Sequence, residues 1–248
     1  MALGTVIRDV YTDGERKVMY GTLVSLLRQP NWSSSGLYCY WDPSTKEPLY
    51  IGLARNLCTR FAQHNGLGGN KPSGGNKGAK INGWFAENDR LGFSLVLQDA
   101  FADEAYDEAA AIGEGQLLEG FKTLHGKLPP WNKIGGSKHG ATYAGSDTAR
   151  WFDFMTGKID GLVVSRMTIR ELDGDPTAEF NEAAVHMSRT AFNFHSKNGK
   201  LDDSSVIANL RDHMTDVNAR YPSVTGSDLY DIEEIIGYLG KPAPHPGG

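Results

Sequence analysis

Cysteine is scarce in this chain: 248 residues hold only Cys39 and Cys58, in no metal-ligand spacing. A disulfide scaffold is therefore not expected, and a reducing cytoplasm is the expected compartment. Long apolar runs are missing too. No stretch approaches the roughly 18 to 20 residues that span a bilayer, which argues against a membrane role. The opening MALGTVIRDVYTDGERK has no basic region followed by an apolar one, so no secretory signal is expected. Nor is there an excess of positive charge. The net charge is −5, whereas nucleic-acid-binding domains are usually basic. Hydrophobic residues at 40% and charged residues at 22% describe an ordinary globular chain, long enough for one large domain or two small ones.

The distribution of charge says more than its sum. Residues 1–144 hold 15 Lys/Arg against 14 Asp/Glu, and residues 145–248 hold 10 against 16. An anionic ligand is thus expected on the first part. No acid lies between Glu47 and Glu87, a stretch that contains Arg55, Arg60, Lys71, Lys77 and Lys80. None lies between Glu119 and Asp147, where Lys122, Lys127, Lys133 and Lys138 fall. The segment between these two carries Asp99, Asp103, Glu104, Asp107, Glu108, Glu114 and Glu119. Two basic stretches around one acidic helix suit phosphates that approach a metal, and they equally suit solvated loops.

Apolar spacing predicts a helix over 15–29, stopped by Pro30, then a strand over 36–41 and a second over 49–52 joined by the turn Asp42-Pro43-Ser44-Thr45. A helix over 56–64 follows. GLGGNKPSGGNKG, residues 66–78, reads as a loop, and 92–98 as a strand. An alanine-rich helix is predicted from Ala102 to Leu118 or beyond. Residues 135–146 read as a linker or a loop over a site, and 162–169 as a strand. Three C-terminal helices are expected, opening at Asp175, at Asp202 or Ser204, and at Ser227, before a frayed tail. The fold class is α/β, with a small, mainly antiparallel three-stranded sheet flanked by helices. Two regions are expected: 1–145, and a mostly helical accessory region at 146–248 for DNA reading, dimerisation or partner binding.

Polar residues fall at particular places on these elements. Tyr38 and Tyr50 lie on neighbouring strands, where phenols can sit side by side or simply pack as a cross-strand pair. Arg60 and His64 are four apart on one helix, a fixed cation beside a proton-transfer or phosphate-contacting group. Glu114 offers an oxygen ligand of the kind magnesium favours. Each alone also reads as an ordinary packing or surface residue.

Their order is more informative. Gly36-Leu37-Tyr38, then Tyr50-Ile51-Gly52, then Asn56-Leu57-x-x-Arg60-x-x-x-His64, then Glu114-x-x-Leu117-Leu118, then Pro130-Trp131-Asn132 resembles the GIY-YIG nuclease superfamily. The resemblance covers residues 36–132, and its ending is similar to the type II restriction branch. It implies a DNA endonuclease that hydrolyses phosphodiesters with Mg2+, or Mn2+ as substitute. In it Tyr38 or Tyr50 activates water, with Tyr38 favoured; Arg60 stabilises the transition state; His64 assists; Glu114 holds the metal; Asn132 braces the site. Arg55, Lys71, Lys77, Lys80, Lys133 and Lys138 are the expected nucleic-acid contacts, and the 66–80 loop a DNA-contacting loop. Double-stranded DNA is the expected partner, and a homodimer is compatible with a site that cuts one strand.

Two departures stand out. The first motif has Leu37 where the family has isoleucine. The interval from Glu114 to Asn132 is long, which makes Glu119 the alternative metal ligand. A sequence-specific restriction or defence enzyme is the leading expectation. The alternatives are a repair, homing or mobile-element nuclease, and a non-catalytic DNA-binding protein on a decayed nuclease fold.

Overall fold

The computed structural model describes residues 4–29, 32–67, 77–97, 106–161, 163–195 and 232–246, with isolated positions near 208–215. The chain forms β1 (Thr5–Thr12), α1 (Arg16–Leu26), β2 (Gly36–Trp41), β3 (Pro48–Ala54), α2 (Leu57–His64), α3 (Lys77–Phe85), β4 (Arg90–Leu97) and α4 (Tyr106–His125). Then come α5 (Lys138–Ala141), α6 (Arg150–Thr156), α7 (Ile169–Gly174), α8 (Pro176–His195) and α9 (Ile232–Leu239). The class is α/β.

The expected three-stranded sheet is corrected to four strands, ordered β1-β4-β2-β3, each pair antiparallel. The additional strand is β1. Its sequence TVIRDVYT carries Arg8 and Asp9 in the middle, and both are buried. Buried charges require partners. Arg8 donates to Asp160 and to the Pro244 carbonyl, each at 2.7 Å, and Asp9 accepts from Arg170 at 2.9 Å. All three partners lie more than 150 residues away in sequence.

Period-2 alternation then gives the sheet two apolar faces. One presents Ile7, Tyr38, Tyr40, Phe93 and Leu95 to Met19 and Leu23 of α1, Phe61 of α2 and Ile81 of α3. The other presents Val6, Leu37, Cys39, Trp41 and Val96 to Leu117, Leu118 and Phe121 of α4 and to Phe152 and Met155 of α6. Each fully buried side chain of this size contributes about 1.5–3 kcal/mol. Side chains from beyond residue 145 thus enter the same core as the strands.

Four other expectations change. The 66–80 segment ends in a helix, because Ile81 is wholly buried and holds α3 from Lys77 onward against the core. The 135–146 segment contains α5, packed on α4. In place of a strand over 162–169, the described residues there form one parallel bridge, Val6 to Val164. The tail is anchored rather than frayed through position 246: Ala243 is buried, the Pro244 carbonyl accepts from Arg8, and the Pro246 carbonyl accepts from Lys46 at 3.3 Å. The remainder of the glycine-rich loop at 68–76, and all of the helix expected from 202 or 204 except positions 208, 211, 212 and 215, lie outside the described residues. Among those that are described, no helix is long and apolar enough to cross a membrane.

Candidate active site

An exposed edge strand offers unpaired backbone groups, and β3 is one of the two edges of this sheet. Two neighbouring residues satisfy part of it. The Trp131 amide donates to the Leu49 carbonyl at 2.8 Å. The Asn132 carboxamide accepts from the Ile51 amide at 3.0 Å and donates to the Ile51 carbonyl at 2.8 Å. The Glu114 carboxylate approaches the Leu53 amide, which favours its charged form. Alternate residues of one strand therefore face the Pro-Trp-Asn segment and the acidic helix side by side.

Beside that edge lies a cleft of about 270 Å³, lined by Tyr50, Lys77, Lys80, Glu114, Leu118, Trp131, Asn132, Lys133, Ile134 and Gly135. Tyr50 is half-buried at its wall, whereas Tyr38 is only 2% exposed behind it, with ring centroids 5.8 Å apart. Gly52 makes room for both. A Cβ there would lie 2.6 Å from the Tyr38 hydroxyl and 2.8 Å from a ring carbon of Tyr50. The glycine of Tyr-Ile-Gly is thus a steric requirement of the paired phenols.

The α2 helix starts where the Asn56 side chain accepts from the Thr59 amide at 2.8 Å, a regular N-cap. Leu57 and Phe61 bury one face, which turns Arg60 and His64 toward the tyrosines. The His64 ring lies 5.7 Å from Tyr38 and 6.1 Å from Tyr50, and its buried Nδ1 has no hydrogen-bond partner among the described residues. Burial, with Arg60 and Lys77 adding repulsion, lowers its pKa to about 3. His64 is therefore a neutral imidazole at physiological pH.

Burial drives the other shifts as well. It raises Tyr38 well above the usual phenol value, and the neighbouring Tyr50 hydroxyl holds the Tyr38 proton on further. Tyr50 is raised less: burial is opposed by its hydrogen bond with Tyr38 and by the Arg60 charge. The Glu114 carboxyl is raised by burial, against the Leu53 amide and Arg60. One guanidinium therefore acts on both phenols, the imidazole and the carboxylate.

Glu114 and Glu119 separate cleanly. Glu119 forms a surface pair with Lys122 at 3.7 Å, about 140° around α4 from Glu114. Only Glu114 faces the cleft. Behind it, α4 and the segment leading into α5 meet backbone to backbone, since a Cβ on Gly115 would lie 2.3 Å from the Ser137 carbonyl. Among the described residues no group of three or more His, Cys, Asp or Glu could hold a metal unaided. A divalent cation at Glu114 fits a site completed by water and a substrate phosphate, the usual habit of Mg2+.

The expected cationic contacts divide. Lys77, Lys80 and Lys133 line the cleft, while Arg55 and Lys138 are exposed outside that lining. Lys71 lies outside the described residues. Sequence reasoning missed two supports. Asn65 accepts from the Tyr11 hydroxyl at 2.9 Å and donates to the Tyr40 hydroxyl at 3.3 Å, beneath the tyrosine pair. Trp131, present in the motif as part of Pro-Trp-Asn, also lends its carbonyl to Lys77. The position of Asn65, directly after the Arg-x-x-x-His spacing, was the available signal for the first. No family model matches this chain, and neither a curated protein nor a solved structure matches it significantly.

Proposed function

We propose that this chain is a divalent-metal-dependent DNA endonuclease of the GIY-YIG type, acting as a sequence-specific restriction or defence enzyme. The observation that carries the reading is the gathering of Tyr38, Arg60 and His64, behind one cleft beside β3, around the Tyr50 and Glu114 that line it, from three different layers of the fold.

The roles follow from placement. Tyr50, rather than the Tyr38 favoured from the sequence, is the phenol on the cleft, so its phenolate form takes the proton of the attacking water. Tyr38 stands behind it and donates a hydrogen bond that favours that phenolate. The water oxygen forms a bond to phosphorus as the bond to the leaving oxygen breaks. Arg60 offsets the charge that grows on the phosphoryl oxygens. His64, being neutral, serves as a hydrogen-bond partner rather than as an acid. Glu114 would hold Mg2+ or Mn2+, which supplies Lewis-acid stabilisation when bound. Lys80 and Lys133 meet flanking phosphates of double-stranded DNA. Asn132 braces the site by fixing β3.

The acidic balance of residues 145–248 favours this reading over a nuclease that reads DNA mainly through its C-terminal region. Two copies acting as a homodimer would account for a double-strand cut by a site that serves one strand. Supercoiled plasmid incubated in Mg2+, Mn2+ or EDTA tests the proposal. Discrete fragments that require metal are expected. A smear or nicking alone would favour a repair or mobile-element nuclease. DNA retained without cleavage in any metal would point to the non-catalytic binding protein.

A further inference from the structure

Three lysines line the cleft, and sequence reasoning gives them one role. Their environments differ. Lys80 and Lys133 are exposed. Lys77 is half-buried, its ammonium lies 4.0 Å from the Tyr50 ring centroid, and it donates to the Trp131 carbonyl. Two neighbours of that carbonyl matter. The Trp131 amide bonds Leu49, and the adjacent Asn132 clamps Ile51. Both bonded residues flank Tyr50 on β3. One ammonium therefore touches the face of the phenol ring and the segment that fixes the strand carrying it.

The helix that supplies this lysine is itself held. Ile81 anchors α3 in the core, Arg16 donates to the Asn82 side chain at 2.9 Å, and Gly78 lies against the His64 carbonyl. A surface lysine on a free loop spends much of its rotamer entropy on any contact. Lys77 has two fixed contacts already, and burial beside Lys133 and Lys80 makes its charge costly unless those contacts hold it.

We infer that Lys77 is a positioning residue, which seats the Tyr50 phenol against the Trp131–Asn132 clamp, and is not one of the lysines that bind flanking phosphates. The kinetic part of this inference rests on the nuclease reading above; the structural part does not. Loss of the ammonium leaves the Trp131 carbonyl unpaired and frees the ring. Misplacement of a reacting group by about 1 Å costs on the order of a hundredfold in rate. A lysine that pairs with a phosphate acts otherwise: its loss weakens DNA binding and lowers the salt slope by about one.

The experiment compares Lys77→Met, Lys77→Arg, Lys80→Met and Lys133→Met in the full-length protein with duplex DNA. Lys77→Met is expected to lower kcat about a hundredfold with KM and the salt slope of binding unchanged. Lys77→Arg recovers part of that loss, because a guanidinium can stack on the ring and still donate. Lys80→Met and Lys133→Met are expected to raise KM and flatten the salt slope. Hydrogen exchange over residues 49–54 gives a readout independent of cleavage, and Lys77→Met should speed it while the two other lysine variants do not. If wild-type protein fails to cut DNA but exchange responds in this way, the nuclease reading falls and the positioning role stands. Unchanged exchange, or a Lys77→Met that raises KM and flattens the salt slope as Lys80→Met does, overturns the inference.

Discussion

The side chain of Asn132 bonds both backbone groups of Ile51, its oxygen 3.0 Å from the amide nitrogen and its nitrogen 2.8 Å from the carbonyl oxygen. One carboxamide thus completes the outer edge of β3 between Tyr50 and Gly52. A neighbouring strand would make the same pair of bonds, so Asn132 stands in for a fifth strand. It also ends β3's capacity to pair with another chain.

Asn132→Ala removes both bonds and leaves an amide and a carbonyl unpaired at the cleft. The expected cost is about 1–3 kcal/mol per unsatisfied group, reduced where water reaches them. A lower urea midpoint with an unchanged slope would show this. Asn132→Asp keeps the acceptor and loses the donor, so its loss should be intermediate unless the new charge is itself penalised.

Arg8 is buried in the sheet and donates to Asp160, to the Phe154 carbonyl and to the Pro244 carbonyl. Arg8→Ala leaves Asp160 only its contact with His245 at 3.3 Å and releases the C-terminal tail. Breaking a fully buried pair costs about 3–5 kcal/mol, and the 31% exposure of Asp160 places the expected loss below that, measurable by thermal or urea unfolding. Removal of residues 242–248 should give a smaller loss, since Asp160 keeps Arg8.

The Glu114 carboxyl is raised by burial, so the folded state holds its proton more tightly than the unfolded state does. With the folded pKa above the unfolded one, stability falls as pH rises through the interval between the two and stays lower above it. Glu114→Gln removes that loss. The variant should therefore be more stable than wild type at neutral pH and lose this advantage below the usual carboxyl range. An equal difference between the two proteins at all pH values would contradict the burial of this group.

For His64 the shift is downward, to about 3 against an ordinary value of 6.5. The folded state resists protonation, so stability is lost as pH falls from the unfolded pKa toward the folded one. His64→Gln should be less acid-sensitive than wild type over that window. The same neutrality predicts a cleavage rate without a histidine limb near neutrality. Instead the rate should climb with pH as Tyr50, raised by burial, yields its proton.

Local pattern carried the middle of the molecule. β2, β3, α2 and β4 each have an apolar period that does not depend on distant partners, and the Tyr-Ile-Gly and Arg-x-x-x-His spacings sit on them unchanged. β1 was invisible because Arg8 and Asp9 interrupt its alternation, and their partners Asp160 and Arg170 lie far along the chain. α3 was hidden by glycine, lysine and asparagine, since its one fully buried residue is Ile81, with Trp84 and Phe85 only partly buried against the core. The choice between Glu114 and Glu119 was open for another reason: spacing favoured one and the apolar pair the other. The helix phase separates them, with Glu119 paired to Lys122 at the surface. The anchoring of the tail by Arg8 and Lys46 had no local signal at all.

We propose that the cleft holding Tyr50 and Glu114 hydrolyses DNA. Single-turnover cleavage of a duplex in Mg2+ by wild type, Tyr50→Phe, Glu114→Ala and Glu119→Ala is the decisive measurement. Tyr50→Phe should lose at least about a hundredfold in rate, Glu114→Ala and EDTA should give no detectable cutting, and Glu119→Ala should cut at the wild-type rate. Cleavage that survives Glu114→Ala and chelation, or that vanishes in Glu119→Ala instead, would contradict it.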